Sequence, residues 1–310
     1  NFTATSLGLF IRMLAQILFP PLMIIIWGVE NFGMWIFLLS LPNLLNMVNF
    51  NFIESAKQDM IFFYNKKKSD KVQTIFQCSI FLTLSSITFF LILSLIFYIL
   101  SDFSFNATTN LPSDILRMSF VIVVITICLN IFDGIFISVT SMKGRSYLND
   151  YIYVIFDAML KATLIVSGLF FKNFFVLVLI FFTFKVIQTV IFYLLYMKHR
   201  DNLKISFNKI SKTELYRQFK LSLSYNFEII SEIINNNGLI FALGIFFNAN
   251  IIAVVSTCKT LFYFFPKQVF AALSQASFYE YAASFAKRET KNIMYNLKKH
   301  LKLVSILAVL

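Results

Sequence analysis

The chain of 310 residues is 58% hydrophobic and only 14% charged, and it contains 40 phenylalanines. These proportions exclude an ordinary soluble globular domain. The net charge of +12 does not indicate a nucleic-acid-binding protein, because the basic residues lie between apolar segments and no polar domain gathers them on one face.

The apolar segments are continuous and of helical length. A transmembrane helix needs about 20 mainly apolar residues to cross roughly 30 Å of hydrocarbon, and the chain has room for eight or nine such segments. Strands of a membrane β-barrel would instead alternate between apolar and polar residues over short stretches. We therefore predict an all-α protein, a polytopic transmembrane helical bundle.

The predicted spans follow in chain order, six before a long polar stretch and three after it. The first is interrupted by Phe19–Pro21, and a tight turn at Gly28–Gly33 separates it from the second. Because the ninth span is cut short and the first residue is Asn1 rather than Met, we expect the sequence to be a piece of a longer protein. The spans cover about residues 7–27, 34–53, 75–100, 115–141, 147–171 and 174–197, then 221–247, 251–283 and the ninth.

Basic residues are dense in every second loop. Lys and Arg crowd the loops after the second, fourth, sixth and eighth spans, beginning with the basic loop Lys57–Lys71, whereas the alternate loops contain only Lys172. Cytoplasmic loops of membrane proteins carry such an excess. We therefore predict that the N-terminus lies in the cytoplasm.

The polar stretch Lys198–Lys220 divides the chain. Its many Lys and Arg residues face only Asp201 and Glu214 as opposite charges, and they should hold the stretch at the anionic inner leaflet. We predict a first six-helix bundle at residues 1–197 and a cytoplasmic basic linker at 198–220. The start of a second bundle, with helices seven, eight and part of nine, would follow at 221–310.

Motifs for catalysis or nucleotide binding are absent from the sequence. With 8 glycines, the chain has no glycine-rich phosphate loop and no GxSxG nucleophile elbow. The two histidines, His199 and His300, lie in basic loops without a Cys or carboxylate at metal-ligand spacing. We therefore predict no enzymatic activity, no cofactor and no metal site.

Charged residues inside the predicted spans are the first candidates for function, since each costs about 2.5 to 3.5 kcal/mol at a helix centre. Asp157 precedes one of the lysines by four residues, the order that favours an ion pair within a helix. We expect these groups to line a central cavity that accepts an anion. The lysines are Lys161, Lys185, Lys259 and Lys267.

Two of the intramembrane acids also have a structural interpretation. Asp157 and Lys161 can simply neutralise each other where two helices meet. Asp133, nearer the inner end of the fourth span, is either a structural partner for another residue or a functional acid. The sequence leaves both alternatives open.

The seventh span carries a polar stripe. Glu228, Glu232, Asn235 and Asn236 follow the spacing of one helical face, and such a face should line a cavity or the boundary between the two halves. Amides and carboxylates suit sugar hydroxyls as hydrogen-bond partners. The alternative is a helix that projects into the cytoplasm before it enters the bilayer.

Two segments resemble a known transporter family. The first, FIRMLAQILFPPLMIIIWGVENFGMWIFLLSLPNLLNMVNFNFIESAKQ, is similar to the first two helices of O-antigen and related polysaccharide flippases of the Wzx type. These belong to the superfamily that includes the multidrug and toxin extrusion (MATE) transporters. The second, IINNNGLIFALGIFFNANIIAVVSTCKTLFYFFPKQVFAALSQASFYEY, is similar to helices seven and eight of the same family, including Leu243–Gly244 and Lys259.

The resemblance implies a twelve-helix transporter of the MATE/MOP type, whose two six-helix bundles surround a cavity that opens alternately to each side. The second bundle is incomplete in this sequence. The implied activity is translocation of an undecaprenyl-diphosphate-linked oligosaccharide from the cytoplasmic to the periplasmic leaflet of the bacterial inner membrane. The implied partners are this lipid-linked substrate, membrane lipid, a coupling proton or sodium ion and polysaccharide-assembly proteins, without nucleic acid.

Three other functions are open at this point. A multidrug or cation antiporter of the same superfamily would favour a carboxylate in the first helix, where this chain has none. A membrane-embedded polysaccharide polymerase or ligase would need a large outer loop, which is missing. A membrane scaffold would have little reason to keep Lys185 and Lys267 inside the bilayer.

Overall fold

The structure, a computed structural model, describes residues 2–48, 52–101, 112–171, 173–201 and 203–264, and the single residues 294, 297, 298 and 305. Every regular element within these residues is helical, which confirms the all-α prediction. The helices are α1 (Phe2–Trp27), α2 (Val29–Leu45, followed by the 3₁₀ turn Asn46–Val48), α3 (Phe52–Asn65), α4 (Ser69–Leu100), α5 (Ser113–Met142), α6 (Ser146–Phe170), α7 (Phe174–His199), α8 (Lys212–Ile233), α9 (Leu239–Phe246) and α10 (Ala249–Lys259).

Four of the helices are long and apolar enough to cross a membrane. Helices α4, α5, α6 and α7 contain 32, 30, 25 and 26 residues. At about 1.5 Å per residue, each exceeds the roughly 30 Å of a bilayer core. Large apolar side chains such as Leu95 and Leu100 are exposed along them, as lipid contact requires. The chain is therefore a helical membrane protein, and its division into two six-helix bundles stays a prediction.

Helix α1 differs from its prediction, because it runs without interruption through Pro20 and Pro21. Proline removes a backbone donor and ordinarily kinks or ends a helix in water. Membrane helices tolerate it, since neighbouring helices and local adjustments satisfy the backbone groups that it frees.

The predicted basic loop after the second span is also wrong in part, because helix α3 occupies most of it. The side chains of Phe52, Ile53, Ala56 and Met60 are buried and recur at the spacing of one helical face. Lys57 lies on the same helix. The basic residues therefore predicted a loop where the chain forms an amphipathic helix.

Two hydrophobic clusters hold the first seven helices together. In one, Trp27 at the end of α1 stacks on Phe174 at the start of α7, with ring centroids 5.8 Å apart. In the other, Phe76 of α4 stacks on Tyr196 of α7 at 6.3 Å, beside the fully buried Met60 of α3. Each cluster lies near a different end of α7, so together they fix the helix along its length.

Ion pairs and polar contacts bring three loops together at one end of the bundle, which we call the basic end. Because the loops join successive pairs of helices, their contacts show which turns share a side. The contacts are Lys143 Nζ to Asp201 Oδ1 at 2.6 Å, Lys209 Nζ to Asp70 Oδ1 at 2.7 Å, and Arg145 Nη1 to the ring nitrogens of His199 at 3.4 Å.

Helices α9 and α10 pack against α2 along a surface that we call the seam. Gly33 of α2 lies against Ala249 so closely that a Cβ at Gly33 would overlap the Ala249 carbonyl. Phe37 stacks on Phe241 at 6.1 Å and leaves no room for a side chain at Gly244. Small residues thus let the backbones approach, as is common between membrane helices.

Candidate functional site

The helices at the seam are interrupted by two π-helical turns, Ile234–Gly238 between α8 and α9 and Thr260–Phe264 after α10. Lys259, the last residue of α10, donates from Nζ to the backbone carbonyl of Asn235 at 2.6 Å. A π turn breaks the regular register of backbone hydrogen bonds, and a carbonyl within it can accept from another donor. Lys259 therefore links the two helices where both depart from α-helical geometry.

The polar stripe of α8 continues into the first π turn. Glu232 and Asn235 are exposed, whereas Asn236 is half-buried and its side-chain Oδ1 has no hydrogen-bond partner among the described residues. Glu228 lies in α8, but its side chain is outside the described residues, and Lys267 is outside them altogether. The described part of the stripe thus adjoins the lysine at the end of α10.

Lys185 is held in a cluster between α5 and α7. Its Nζ donates to Asp133 Oδ2 at 2.7 Å, to Asn130 Oδ1 at 2.8 Å and to Gln188 Oε1 at 3.0 Å. The Asp133 side chain is 0% exposed and that of Lys185 is 10% exposed. Asp133 is therefore the partner of Lys185, the structural role that the sequence had left open beside a functional one.

Asp157 and Lys161 form the ion pair that their spacing in the sequence predicts. The carboxylate Oδ2 and the ammonium Nζ lie 2.7 Å apart within α6, with side-chain exposures of 37% and 17% respectively. The pair joins residues of one helix and does not bridge two. Its contact with a substrate cavity stays a prediction.

A polar cluster that the sequence did not predict ties α8 to α3 at the basic end. Arg217 donates to Glu214 in its own helix and, across the helix boundary, to Asp59 Oδ2 at 2.6 Å. Gln218, which is fully buried, donates to the backbone carbonyl of Ile75 in α4 at 3.0 Å. These contacts fix the start of α8 against α3 and α4.

Both charges of the Arg217–Glu214 pair are stabilised by the contact. Burial raises the pKa of the Glu214 carboxyl, but the hydrogen bond and the charge of Arg217 outweigh burial and leave the pKa below its ordinary value. The hydrogen bond to Glu214, joined by that to Asp59, raises the pKa of the Arg217 guanidinium. Glu214 and Arg217 are therefore both charged at neutral pH.

The segment between α7 and α8 lies within the predicted linker at 198–220, whose ends the helices occupy. It covers only residues 200–211, because α7 reaches His199 and α8 begins at Lys212. Two buried amides of α4 hold its backbone. Gln73 exchanges hydrogen bonds with the carbonyl and N–H of Lys204 at 2.7 and 3.2 Å, and Gln77 accepts from the N–H of Lys209 at 2.7 Å. We call this held segment the strap.

The sequence-predicted residues thus fall into three groups. Lys259, Asn235 and the residues beside them lie at the seam, Lys185 lies between α5 and α7, and Asp157 and Lys161 lie on α6. Within the part of the chain that the structure describes, no group of three or more His, Cys, Asp or Glu side chains is arranged to hold a metal ion.

The fold and the placement of these charges define the class: a helical membrane protein with ionisable side chains inside the bundle. No family model matches the chain, and neither the curated proteins nor the solved structures contain a match. The assignment to the polysaccharide flippases accordingly stays a prediction that depends on the two segments quoted above.

Proposed function

We propose that the protein is a flippase that moves an undecaprenyl-diphosphate-linked oligosaccharide from the cytoplasmic to the periplasmic leaflet of a bacterial inner membrane. Translocation would proceed by alternating access through a cationic cavity between two bundles. The observation that carries the proposal is the contact of Lys259 with the carbonyl of Asn235, by which a basic side chain joins two interrupted apolar helices.

The physical reason lies in the cost of polar groups inside a membrane. Irregular backbone at membrane depth is tolerated where it is buried in protein or lines a water-filled cavity, and transporters bind substrates at such interrupted helices. An intramembrane lysine likewise faces a cavity or a partner. The position of Lys259 therefore supports the proposal of a cavity along the seam, in which the diphosphate group of the substrate binds the Lys259 ammonium.

The remaining polar groups at the seam suit the other parts of this substrate. Glu232, Asn235 and Asn236 supply carboxylate and amide groups that hydrogen-bond sugar hydroxyls, while the polyprenyl tail stays in the surrounding lipid. Outward movement of the anion is favoured by an inside-negative potential by about 2.3 kcal/mol per charge per 100 mV. A proton or sodium ion completes the coupling, and polysaccharide-assembly proteins receive the product.

The test is export by lysine variants of the complete protein. We expect Lys259→Ala and Lys267→Ala to abolish surface polysaccharide in a strain that lacks its own flippase, because the diphosphate loses its cation. Lys259→Arg and Lys267→Arg should retain part of the export, because arginine keeps the positive charge. In proteoliposomes, the same Ala variants should fail to translocate a fluorescently labelled undecaprenyl-diphosphate oligosaccharide.

Lys209→Ala is the matched control, since Lys209 pairs with Asp70 at the surface, with side-chain exposures of 48% and 92%. It removes an equal charge and should leave export unchanged. Wild-type export by both Ala variants would contradict a cationic cavity. Efflux of cationic dyes without movement of the labelled lipid would instead identify an antiporter.

A further inference from the structure

The cluster between α5 and α7 contains a carboxylate oxygen that nothing satisfies. The three protons of the Lys185 ammonium are all used, on Asp133 Oδ2, Asn130 Oδ1 and Gln188 Oε1, at 2.7 to 3.0 Å. Asp133 Oδ1 is buried and accepts no hydrogen bond from the part of the chain that the structure describes. The hydroxyl of Thr189 acts on this carboxylate without forming a well-aligned hydrogen bond to it, and among the described residues it too is buried without a partner.

A buried oxygen of a charged carboxylate is an expensive group to leave unsatisfied. Most buried polar atoms in proteins have a partner, so an exception calls for a physical explanation. A proton satisfies this site directly. Adding it to Oδ1 forms an O–H bond, removes the negative charge from Asp133 and converts Oδ1 from an unsatisfied acceptor into a donor.

The rest of the cluster can keep the ammonium in place when Asp133 becomes neutral. Asn130 and Gln188 are neutral acceptors, so Lys185 retains two of its three hydrogen bonds after the ion pair is lost. Uptake of a proton changes the net charge of the cluster from zero to one positive charge. Two protonation states are therefore compatible with one arrangement of side chains.

The described charges that act on the cluster are its own two members. Within the described residues, Lys185 is the charge that acts on Asp133, and Asp133 is the charge that acts on Lys185. From α6, the ring of Tyr153 lies 5.9 Å from Lys185 Nζ. The described charged groups on the helices packed against α5 and α7 that do not act on the pair are Glu30 of α2, Lys57 and Asp59 of α3, Asp70 and Lys71 of α4, and Asp150, Asp157 and Lys161 of α6.

We infer that Asp133 is a proton-binding site inside the membrane, at which uptake and release of a proton alternately breaks and restores the ion pair between α5 and α7. Lys185 and the amides of Asn130 and Gln188 position the carboxylate. The proton site stands on this geometry, whereas its use as the coupling-ion site rests on the proposed flippase function.

The experiment is a pH titration of the complete protein in lipid nanodiscs, followed by infrared absorption of protonated carboxyl groups. We expect a carboxyl band that grows as the pH is lowered and that is absent from Asp133→Asn. Lys185→Met removes the countercharge, so it should leave Asp133 protonated and its band independent of pH. Asp157→Asn is the matched control, because it neutralises another aspartate of an intramembrane Asp–Lys pair.

The outcomes separate the proton site from the proposed function. A titrating band lost in Asp133→Asn and kept in Asp157→Asn supports the site, whether or not the protein moves lipid-linked oligosaccharide. If Asp133→Asn does not fold, Lys185→Met tests the site instead, because its carboxyl band should be present at every pH. If neither Asp133→Asn nor Lys185→Met alters a pH-dependent carboxyl band, Asp133 is not a proton-binding site. That conclusion holds even when the protein moves the labelled lipid normally. If translocation of the labelled lipid depends on pH in the native protein but not in Asp133→Asn, the proton site also couples transport.

Discussion

Gly33 shows how much the seam depends on one missing side chain. A Cβ at this position would overlap the backbone carbonyl of Ala249, which cannot move aside as a side-chain tip could. Gly33→Ala should therefore push α10 away from α2. Overpacking of this kind costs about 1–3 kcal/mol. The expected result is a lower midpoint of thermal unfolding in detergent, followed by the fluorescence of the two tryptophans, Trp27 and Trp35.

Gly134→Ala is the control for this prediction. A Cβ there would meet Ile53 Cγ2 at 3.5 Å, an ordinary van der Waals contact. Alanine is the better helix former by about 0.5–1 kcal/mol, so this variant should be as stable as the native protein or slightly more so. Equal stability of the two variants would contradict the close backbone approach at the seam.

At the residue scale, the sequence identified intramembrane charges more readily than their partners. Asp157 and Lys161 are four residues apart, so helical geometry alone predicted their pairing. Lys185 and Asp133 belong to different helices, and only the packing of α5 against α7 brings them together. The same limit applies to Lys259, whose acceptor is a backbone carbonyl and therefore leaves no mark in the residue pattern.

At the element scale, the strap shows a loop whose backbone is held by side chains from a distant part of the chain. Its backbone is held by the side chains of Gln73 and Gln77, which substitute for a neighbouring strand or helix. The double variant Gln73→Ala/Gln77→Ala should release it. Loss of these hydrogen bonds should cost about 2 kcal/mol, which corresponds to a roughly 30-fold larger population of the form in which the strap has detached. Because trypsin cuts the detached form, the rate of cleavage after Lys204 or Lys209 should rise by a similar factor.

Thr74→Ala provides the comparison, since Thr74 lies between the two glutamines but donates only within its own helix, to the carbonyl of Asp70 at 3.0 Å. Its cleavage rate at the strap should equal that of the native protein. Mass spectrometry identifies each cut, and cleavage at the turn after α3 serves as an internal reference. An unchanged rate in the double variant would show that other contacts hold the strap.

The sequence predicted the long apolar helices well and the short polar elements poorly, for a physical reason. Mainly apolar segments as long as α4 to α7, each of 25 residues or more, admit few structures other than a helix in a membrane. Helix α3 and the strap depend on which side chains are buried, and burial depends on neighbours distant in the chain. Gln73 and Lys204, for example, are 131 residues apart.

At the scale of the whole molecule, contacts group the turns into two sets, and charge predicts which membrane face each set occupies. The basic end joins the turns after α3, α5 and α7 through ion pairs and polar contacts. The turn after α1 lies at the other end, because Trp27 stacks on Phe174. The sequence predicted an alternation of all the loops from charge alone, and among the described turns the contacts place those after α3, α5 and α7 at one end and those after α1 and α6 at the other.

Orientation in the membrane can be tested with single cysteines in a variant that lacks Cys78, Cys128 and Cys258. Positive loops stay in the cytoplasm, so Lys68→Cys and Lys204→Cys at the basic end should react with a membrane-impermeant maleimide only after spheroplasts are permeabilised. The exposed residues Phe171 and Phe247 directly follow α6 and α9 at the opposite end of the bundle. As cysteines, they should react in intact spheroplasts. The cysteine-free variant should remain unlabelled in both conditions. The reverse pattern would place the basic end outside, and an anion entering there would then move inward, against the direction that the proposed function requires.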